Sequence, residues 1–256
     1  MRYPIPGILA IALAASLTGC ASVTSDVNEL KAEVVTPAPD AGFIQDPERM
    51  TKRADLPFQK VWVEPGVDFK HYRDLIVAPV NTQHMLKMDW LHKMSSAEWL
   101  GNVNADIKEL AQYFRDQVVK DFQQDPHHRF QVIDEPGQHR QPALRLELAL
   151  VEIDPSTPVL HALGWLEPGG GTAAGIINQR RAAFEARLRD MQIGEVIATF
   201  ADRDMQDLDP LDLTRLTWYG PAKQIMDRWA HEFVRVANRK PGEMVTDPIP
   251  FSLRPF

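Results

Sequence analysis

The feature that most constrains this chain is its single cysteine, Cys20, which closely follows an apolar run near the N-terminus. The run extends from Ile8 to Leu17, follows the basic residue Arg2, and is too short to span a bilayer. This pattern is typical of a secretory signal peptide, so we expect residues 1–19 to be removed. A chain with one cysteine cannot form an internal disulfide, and its fold must be stabilised by a packed core.

The four residues Leu17-Thr18-Gly19-Cys20 resemble the lipobox of bacterial lipoproteins. This resemblance implies that Cys20 is acylated on its thiol and, after cleavage, on its new amine. Two or three acyl chains hold a protein stably on a membrane surface. In such lipoproteins an alanine after the cysteine, here Ala21, implies sorting to the outer membrane. We therefore expect a protein that Cys20 anchors in the outer membrane and that faces the periplasm.

The charge and the motifs narrow the class of function. The formal net charge is −7, and it becomes −8 without residues 1–19, because Arg2 is their only charged residue. Polyanions repel such a chain, so we expect no nucleic-acid partner. The sequence contains no Gly-x-Ser-x-Gly elbow, Ser-x-x-Lys pair or His-Glu-x-x-His helix. We expect no enzyme and no cofactor.

Composition divides the remainder of the chain into four parts. Residues 20–41 show little apolar periodicity, which predicts a lipidated tether. Residues 42–73 contain several prolines and aromatic residues, which predicts an irregular strap packed on the body. Residues 74–239 are predicted to form a periplasmic α/β domain, and residues 240–256 a proline-rich tail that runs extended.

The patterns within residues 74–239 predict the fold. The apolar run that begins at Asp74 predicts a buried strand, and alternation from Leu144 predicts a strand with a bulge near Leu150, where the apolar phase changes. Apolar residues three and four apart predict amphipathic helices over residues 104–125 and 220–236. We therefore expect an α/β (α+β) fold: a mixed, largely antiparallel sheet of about five strands with two amphipathic helices on one face.

Several short motifs in a fixed order resemble an uncharacterised family of Gram-negative lipoproteins, domain of unknown function 3313. The motifs are Gly42-Phe43-Ile44, Trp62-Val63-Glu64-Pro65, Ala78-Pro79-Val80, and the stretch from Asp190 through Gly194-Glu195 to Asp202. The resemblance extends from about Gly42 to Ala237. It implies a lipoprotein address and an α/β body, and it brings no activity or site.

The segment 84–94 is the strongest candidate for a metal site. In a helix, His84, Met88 and His92 would lie on one face, and imidazole and thioether ligands suit copper(I). The alternative is an amphipathic segment in which the methionine packs and the histidines form the wet edge. Further along, a group of aspartates from Asp202 to Asp212 fails the EF-hand pattern and predicts a solvated acidic loop.

The glycine-rich segment 164–175 is the candidate surface for a partner. Its five glycines predict a mobile loop, on which Trp165 and Leu166 could dock onto an envelope protein or dip into a membrane interface. Alternatively, Trp165 folds back onto the sheet. We expect a non-enzymatic binding or scaffolding module for another envelope component. A copper-binding protein is the alternative, and a hydrolase whose residues converge only in the fold is a third.

Overall fold

The computed structural model describes residues 35–85, 97–134, 141–153, 181–205 and 219–246, with side chains from residue 104 onward in the second range. The strands are β1 (Lys60–Val63), β2 (Asp74–Val77), β3 (Gln131–Val132), β4 (Ala143–Ile153), β5 (Arg181–Asp190) and β6 (Val196–Met205). The helices are α1 (Ala97–Gln123) and α2 (Gly220–Asn238), and short 3-10 turns lie at Pro47–Arg49 and Phe69–His71. No helix in these ranges is long and apolar enough to cross a membrane.

The six strands form one mixed sheet in the order β1-β6-β5-β4-β2-β3. The pairs β1/β6, β6/β5 and β5/β4 are antiparallel, whereas β4/β2 and β2/β3 are parallel. The predicted fold class is confirmed, with six strands in place of about five. The additional strand is β1, which lies within residues 42–73, where the sequence predicts only an irregular strap. Its four residues are too few to show a clear alternation.

Strand β4 contains the bulge that the sequence predicts. Its register with β5 shifts between Leu150 and Glu152. Leu150 packs in the main core, whereas Val151 packs in a second cluster that covers the other face of the sheet. The hairpin between β5 and β6 turns at Gly194, which lies in the left-handed region at φ +75°.

Both helices pack on one face of the sheet and run parallel to each other. The hydroxyl of Tyr113 donates to Asp227 at 2.7 Å, and Lys223 Nζ lies 3.4 Å from Glu109. Between helices and sheet, Trp229 and Phe184 pack with ring centroids 4.7 Å apart. Because the helices are parallel, their C-terminal ends lie at the same end of the sheet.

The opposite face of the sheet is covered by residues 35–50, which we call the covering segment. The backbone amides of Ala41, Phe43 and Ile44 donate to the carboxylate of Glu185 at 2.7 to 3.1 Å. Glu185 is buried, and these three donors satisfy its oxygens. Residues 35–41, predicted as part of the tether, are therefore held against the body.

The acidic residues at the start of the predicted solvated loop are in fact buried. Asp202 and Asp204 lie in β6, which extends to Met205, and their side chains are inside the protein. Asp202 accepts hydrogen bonds from Trp229 Nε1 at 2.9 Å and from the backbone amide of Gln59 at 3.1 Å. The prediction of a solvated loop is therefore wrong for these two residues. Their carboxylates can be buried because hydrogen-bond donors inside the protein replace the water that they lose.

Candidate functional site

Most residues singled out in the sequence lie outside the described residues. They are the lipidation site Cys20, the proposed copper ligands Met88 and His92, and the proposed partner-binding residues Trp165 and Leu166. Anchoring by Cys20 and partner binding by the glycine-rich loop therefore stay predictions.

His84 is the one proposed metal ligand that the structure describes. Its ring packs edge-on against Phe43, with centroids 5.5 Å apart, and its Nδ1 lies 3.2 Å from the carbonyl oxygen of Ala41. These contacts join His84 to the covering segment. Among the described residues, no group of three His, Cys, Asp or Glu side chains could hold a metal ion. The copper alternative has no support from this part of the chain.

A cavity of about 750 Å³ lies where the C-terminal ends of the two helices approach the sheet. This volume falls in the range of about 300–1,000 Å³ that is usual for small-molecule sites. The cavity lies between the helix ends and the sheet, and Leu144 in its lining is fully buried and presents little surface to it. Its apolar wall consists of Leu56, Val63, Phe69, Leu75, Phe122, Phe130, Leu144, Leu146, Leu188, Phe200, Phe233, Val236, Ala237 and Pro241.

The polar residues that line the cavity are mostly cationic. Six of them are basic and one is a carboxylate, Asp68, in a chain whose formal net charge is −7. The basic residues are Arg53, Lys70, Arg73, Arg129, Arg239 and Lys240. Part of this clustering has a local cause, because helix C-termini carry partial negative charge and favour nearby cations such as Arg239.

Three of the six cations are engaged by the protein itself. Arg53 donates to Asp55 through Nε and Nη2 at 2.9 and 2.6 Å, and Arg239 Nη1 lies 2.5 Å from the same carboxylate. These donors, Arg53 first, lower the pKa of Asp55 to about 2. Arg129 donates to the carbonyl oxygens of Phe69 and Tyr72. These bonds hold the rim of the cavity together.

The remaining three cations, Lys70, Arg73 and Lys240, have no side-chain ion pair or hydrogen bond to any described residue. All three are exposed at the cavity mouth. Burial lowers the pKa of Arg129, and the nearby charge of Arg73 lowers it further. Positive charge is therefore in excess at the rim, and a ligand with negative charge would reduce this repulsion.

The composition of the cavity lining indicates the kind of ligand that it suits. Among the described residues that line the cavity, none is serine, threonine, cysteine or histidine. The lining combines an apolar wall with guanidinium and ammonium donors, which suits recognition of a ligand with an apolar part and an anionic part.

The sequence analysis did not identify this cavity. Its basic residues come from three distant parts of the chain: the region around Arg53 to Arg73, the loop after α1, and the end of α2. The local signals were weak: Lys70 lies in a short turn, Arg73 follows that turn, and Arg239-Lys240 follows a helix. Each basic group alone is typical of a solvated surface.

One protein-family model matches most of this chain. A family described as "Protein of unknown function (DUF3313)" matches residues 39–233, which is most of the sequence. The chain belongs to this family. The match begins within the covering segment, includes all of α1 and ends within α2 of the DUF3313 domain. Among curated proteins, no relative is found.

Two solved structures illustrate the remote similarities. PelC from Paraburkholderia phytofirmans, solved as a dodecamer, is 8% identical, with a TM-score of 0.36, 70% of this chain covered and 96% of that chain. Hypothetical protein CT253 from Chlamydia trachomatis is 13% identical, with a TM-score of 0.36, 64% of this chain covered and 96% of that chain. These weak similarities add nothing to the argument on function.

Proposed function

We propose that this protein is a non-enzymatic binding module, anchored in the outer membrane by lipid on Cys20, and that its cavity binds another component of the envelope. The cavity is the observation that carries the proposal. A protein of this size normally packs its core to a density near that of organic crystals, with few voids larger than a water molecule. A cavity of about 750 Å³ that opens at a cationic rim is a binding site in shape and composition.

The rim is supported in the way expected for a binding site. Arg53 and Arg239 share the carboxylate of Asp55, and Arg129 is fixed by two backbone carbonyls. These contacts join the segment before β2, the loop after α1 and the end of α2. Binding residues that are held in place lose little conformational entropy when a ligand arrives.

The expected lipid on Cys20 is consistent with the proposed location in the outer membrane, because it would keep the cavity close to a membrane. A protein partner on Trp165 and Leu166 remains a separate proposal. It is tested by Trp165→Ala, which should leave stability unchanged and reduce partner capture.

The test uses the full-length lipoprotein in vesicles of phosphatidylcholine that contain a photoactivatable long-chain alcohol. After illumination, we expect label on peptides that line the cavity, including those around Phe122 and Phe233. Ala237→Trp places an indole in the cavity and should reduce this labelling at least fivefold, since Ala237 lies in the wall.

The matched control is Ala105→Trp, the same substitution at an exposed position on α1. It should label as the wild type does. The proposal fails if wild-type cavity peptides take no label, or if Ala237→Trp is labelled as strongly as Ala105→Trp.

A further inference from the structure

We infer that the cavity takes a single-chain lipid with an anionic head group, such as a long-chain fatty acid. This inference rests on the proposed function, because it names the chemical class that the proposed site binds. Three observations carry it: the volume of the cavity, the apolar residues in its lining, and the cations at its mouth that form no ion pair with a described residue.

The volume fits one acyl chain. A methylene group occupies about the volume of one water molecule, about 30 Å³, so a chain of sixteen carbons fills about 500 Å³. Two such chains would need about 1,000 Å³, which exceeds the cavity of about 750 Å³. The volume therefore matches one acyl chain better than the two of a diacyl phospholipid.

The apolar part of the lining is suited to an acyl chain. Half-buried Val63, Phe69, Phe130, Leu188 and Val236 present apolar surface to the cavity, whereas Leu144, Leu146, Phe122 and Phe233 line it but are almost fully buried. Burial of each methylene in such surroundings favours binding, and the favourable free energy increases with chain length.

The mouth specifies the charge of the head group. Lys70, Arg73 and Lys240 line the mouth and form no ion pair with a described residue. The other three basic residues of the rim are held by Asp55 or by backbone carbonyls. A carboxylate at the mouth would accept charge-assisted hydrogen bonds from Lys70 and Arg73, whereas an ammonium head group would be repelled.

The experiment compares three photoactivatable sixteen-carbon probes, a fatty acid, an alcohol and an amine, with the full-length protein in phosphatidylcholine vesicles. The wild type should give the strongest label on cavity peptides with the fatty acid and the weakest with the amine. Replacing both Lys70 and Arg73 with glutamine should reduce fatty-acid labelling about tenfold, because charge-assisted contacts are lost, and should leave alcohol labelling unchanged.

The control variant removes two charges from the other end of the helix layer, through Lys108→Gln and Lys223→Gln. Lys108 is exposed and Lys223 forms only a weak pair with Glu109. Equal loss of fatty-acid labelling in the control would show an effect of net charge and overturn the assignment of the head-group site.

The outcomes separate the two proposals. Alcohol labelling as strong as fatty-acid labelling, unaffected by the Lys70 and Arg73 changes, would retain the binding site and overturn the anionic ligand. Absence of label from all three probes would overturn both. Label that appears only in a chain ending at Thr246 would show that residues 247–256 fill the cavity, and would overturn the lipid ligand.

Discussion

At one end of the helix layer, aromatic side chains fill the space above the sheet, whereas at the other end a cavity of about 750 Å³ remains. In the filled end, Trp229 packs against Phe184 and Phe114, with centroids 4.7 and 5.8 Å apart. Phe233 marks the boundary, since it contacts Phe184 and also lines the cavity. The open end does not lack large apolar residues, so the space reflects how they are arranged.

The two ends differ in what fixes their geometry. Trp229 is held by ring packing and by its hydrogen bond to buried Asp202. The open end is bounded by aliphatic and aromatic walls and by ion pairs at the rim, such as that between Arg239 and Asp55. The filled end should therefore respond to mutation through stability, and the open end through ligand binding.

The largest expected effect is at Trp229. Trp229→Ala should lower the free energy of unfolding by about 3–5 kcal/mol, because it leaves a large void and removes a hydrogen bond to Asp202. Leu188→Ala at the open end should cost only about 1 kcal/mol, because its side chain is half-buried beside an existing cavity. Urea denaturation measures both, and similar losses would contradict the distinction.

The covering segment, on the opposite face of the sheet, is held by hydrogen bonds to a buried carboxylate, in contrast to the ring packing and ion pairs of the helix layer. Glu185→Gln should lower the free energy of unfolding by about 2 kcal/mol, because an amide cannot accept from three backbone amides through both of its polar atoms. Limited proteolysis should show faster cleavage within residues 35–50. The control, Glu195→Gln in the exposed hairpin, should change neither quantity.

The same change from alanine to leucine, made at two positions of α2, compares the filled end of the helix layer with the open end. Ala230 is fully buried in the filled end, and Ala237 lines the cavity. Ala230→Leu should lower the free energy of unfolding by about 1–3 kcal/mol through overpacking. Ala237→Leu should change it by less than about 0.5 kcal/mol, since space is present. A large loss for Ala237→Leu in thermal or urea unfolding would show that the cavity is smaller in solution.

The smallest expected effect is the pH dependence of the stability that Asp55 contributes at the rim of the cavity. The pKa of Asp55 is lowered to about 2, chiefly by Arg53, from an ordinary value near 4. Its stabilising contribution is thus fully present above about pH 4 and is lost as pH falls from about 4 to 2. Over this interval the wild type should lose more unfolding free energy than Asp55→Asn. Equal losses in acid-dependent urea unfolding would contradict the role assigned to Asp55.

Much of the fold could be predicted because it depends on local periodicity. The leucines of β4 alternate, the apolar stripe of α2 begins at Pro221, and the phase change at Val151 marks the bulge. Strand β1 was missed because Lys60–Val63 is short and becomes a strand by pairing with β6. The burial of Asp202 was missed because its partners, Trp229 and Gln59, are distant in sequence.

The cavity could not be predicted for the same reason. Lys70, Arg129 and Arg239 belong to no common sequence motif. The parallel arrangement of the two helices places the chain segments that contain Arg129 and Arg239 at the same end of the sheet. Space between elements depends on side-chain volumes across five strands and two helices, which periodicity does not report. That the chain is a binding module stays a prediction from the sequence, to which the structure adds a candidate site.

The most direct test of the account is to measure the lipid that is recovered with the protein from the cells that produce it. Full-length wild-type and Ala237→Trp proteins are purified in the same detergent, and bound lipids are extracted and measured by mass spectrometry. The account predicts close to one single-chain anionic lipid per wild-type molecule and little from Ala237→Trp. Equal recovery from both proteins, or no single-chain anionic lipid from the wild type, would contradict it.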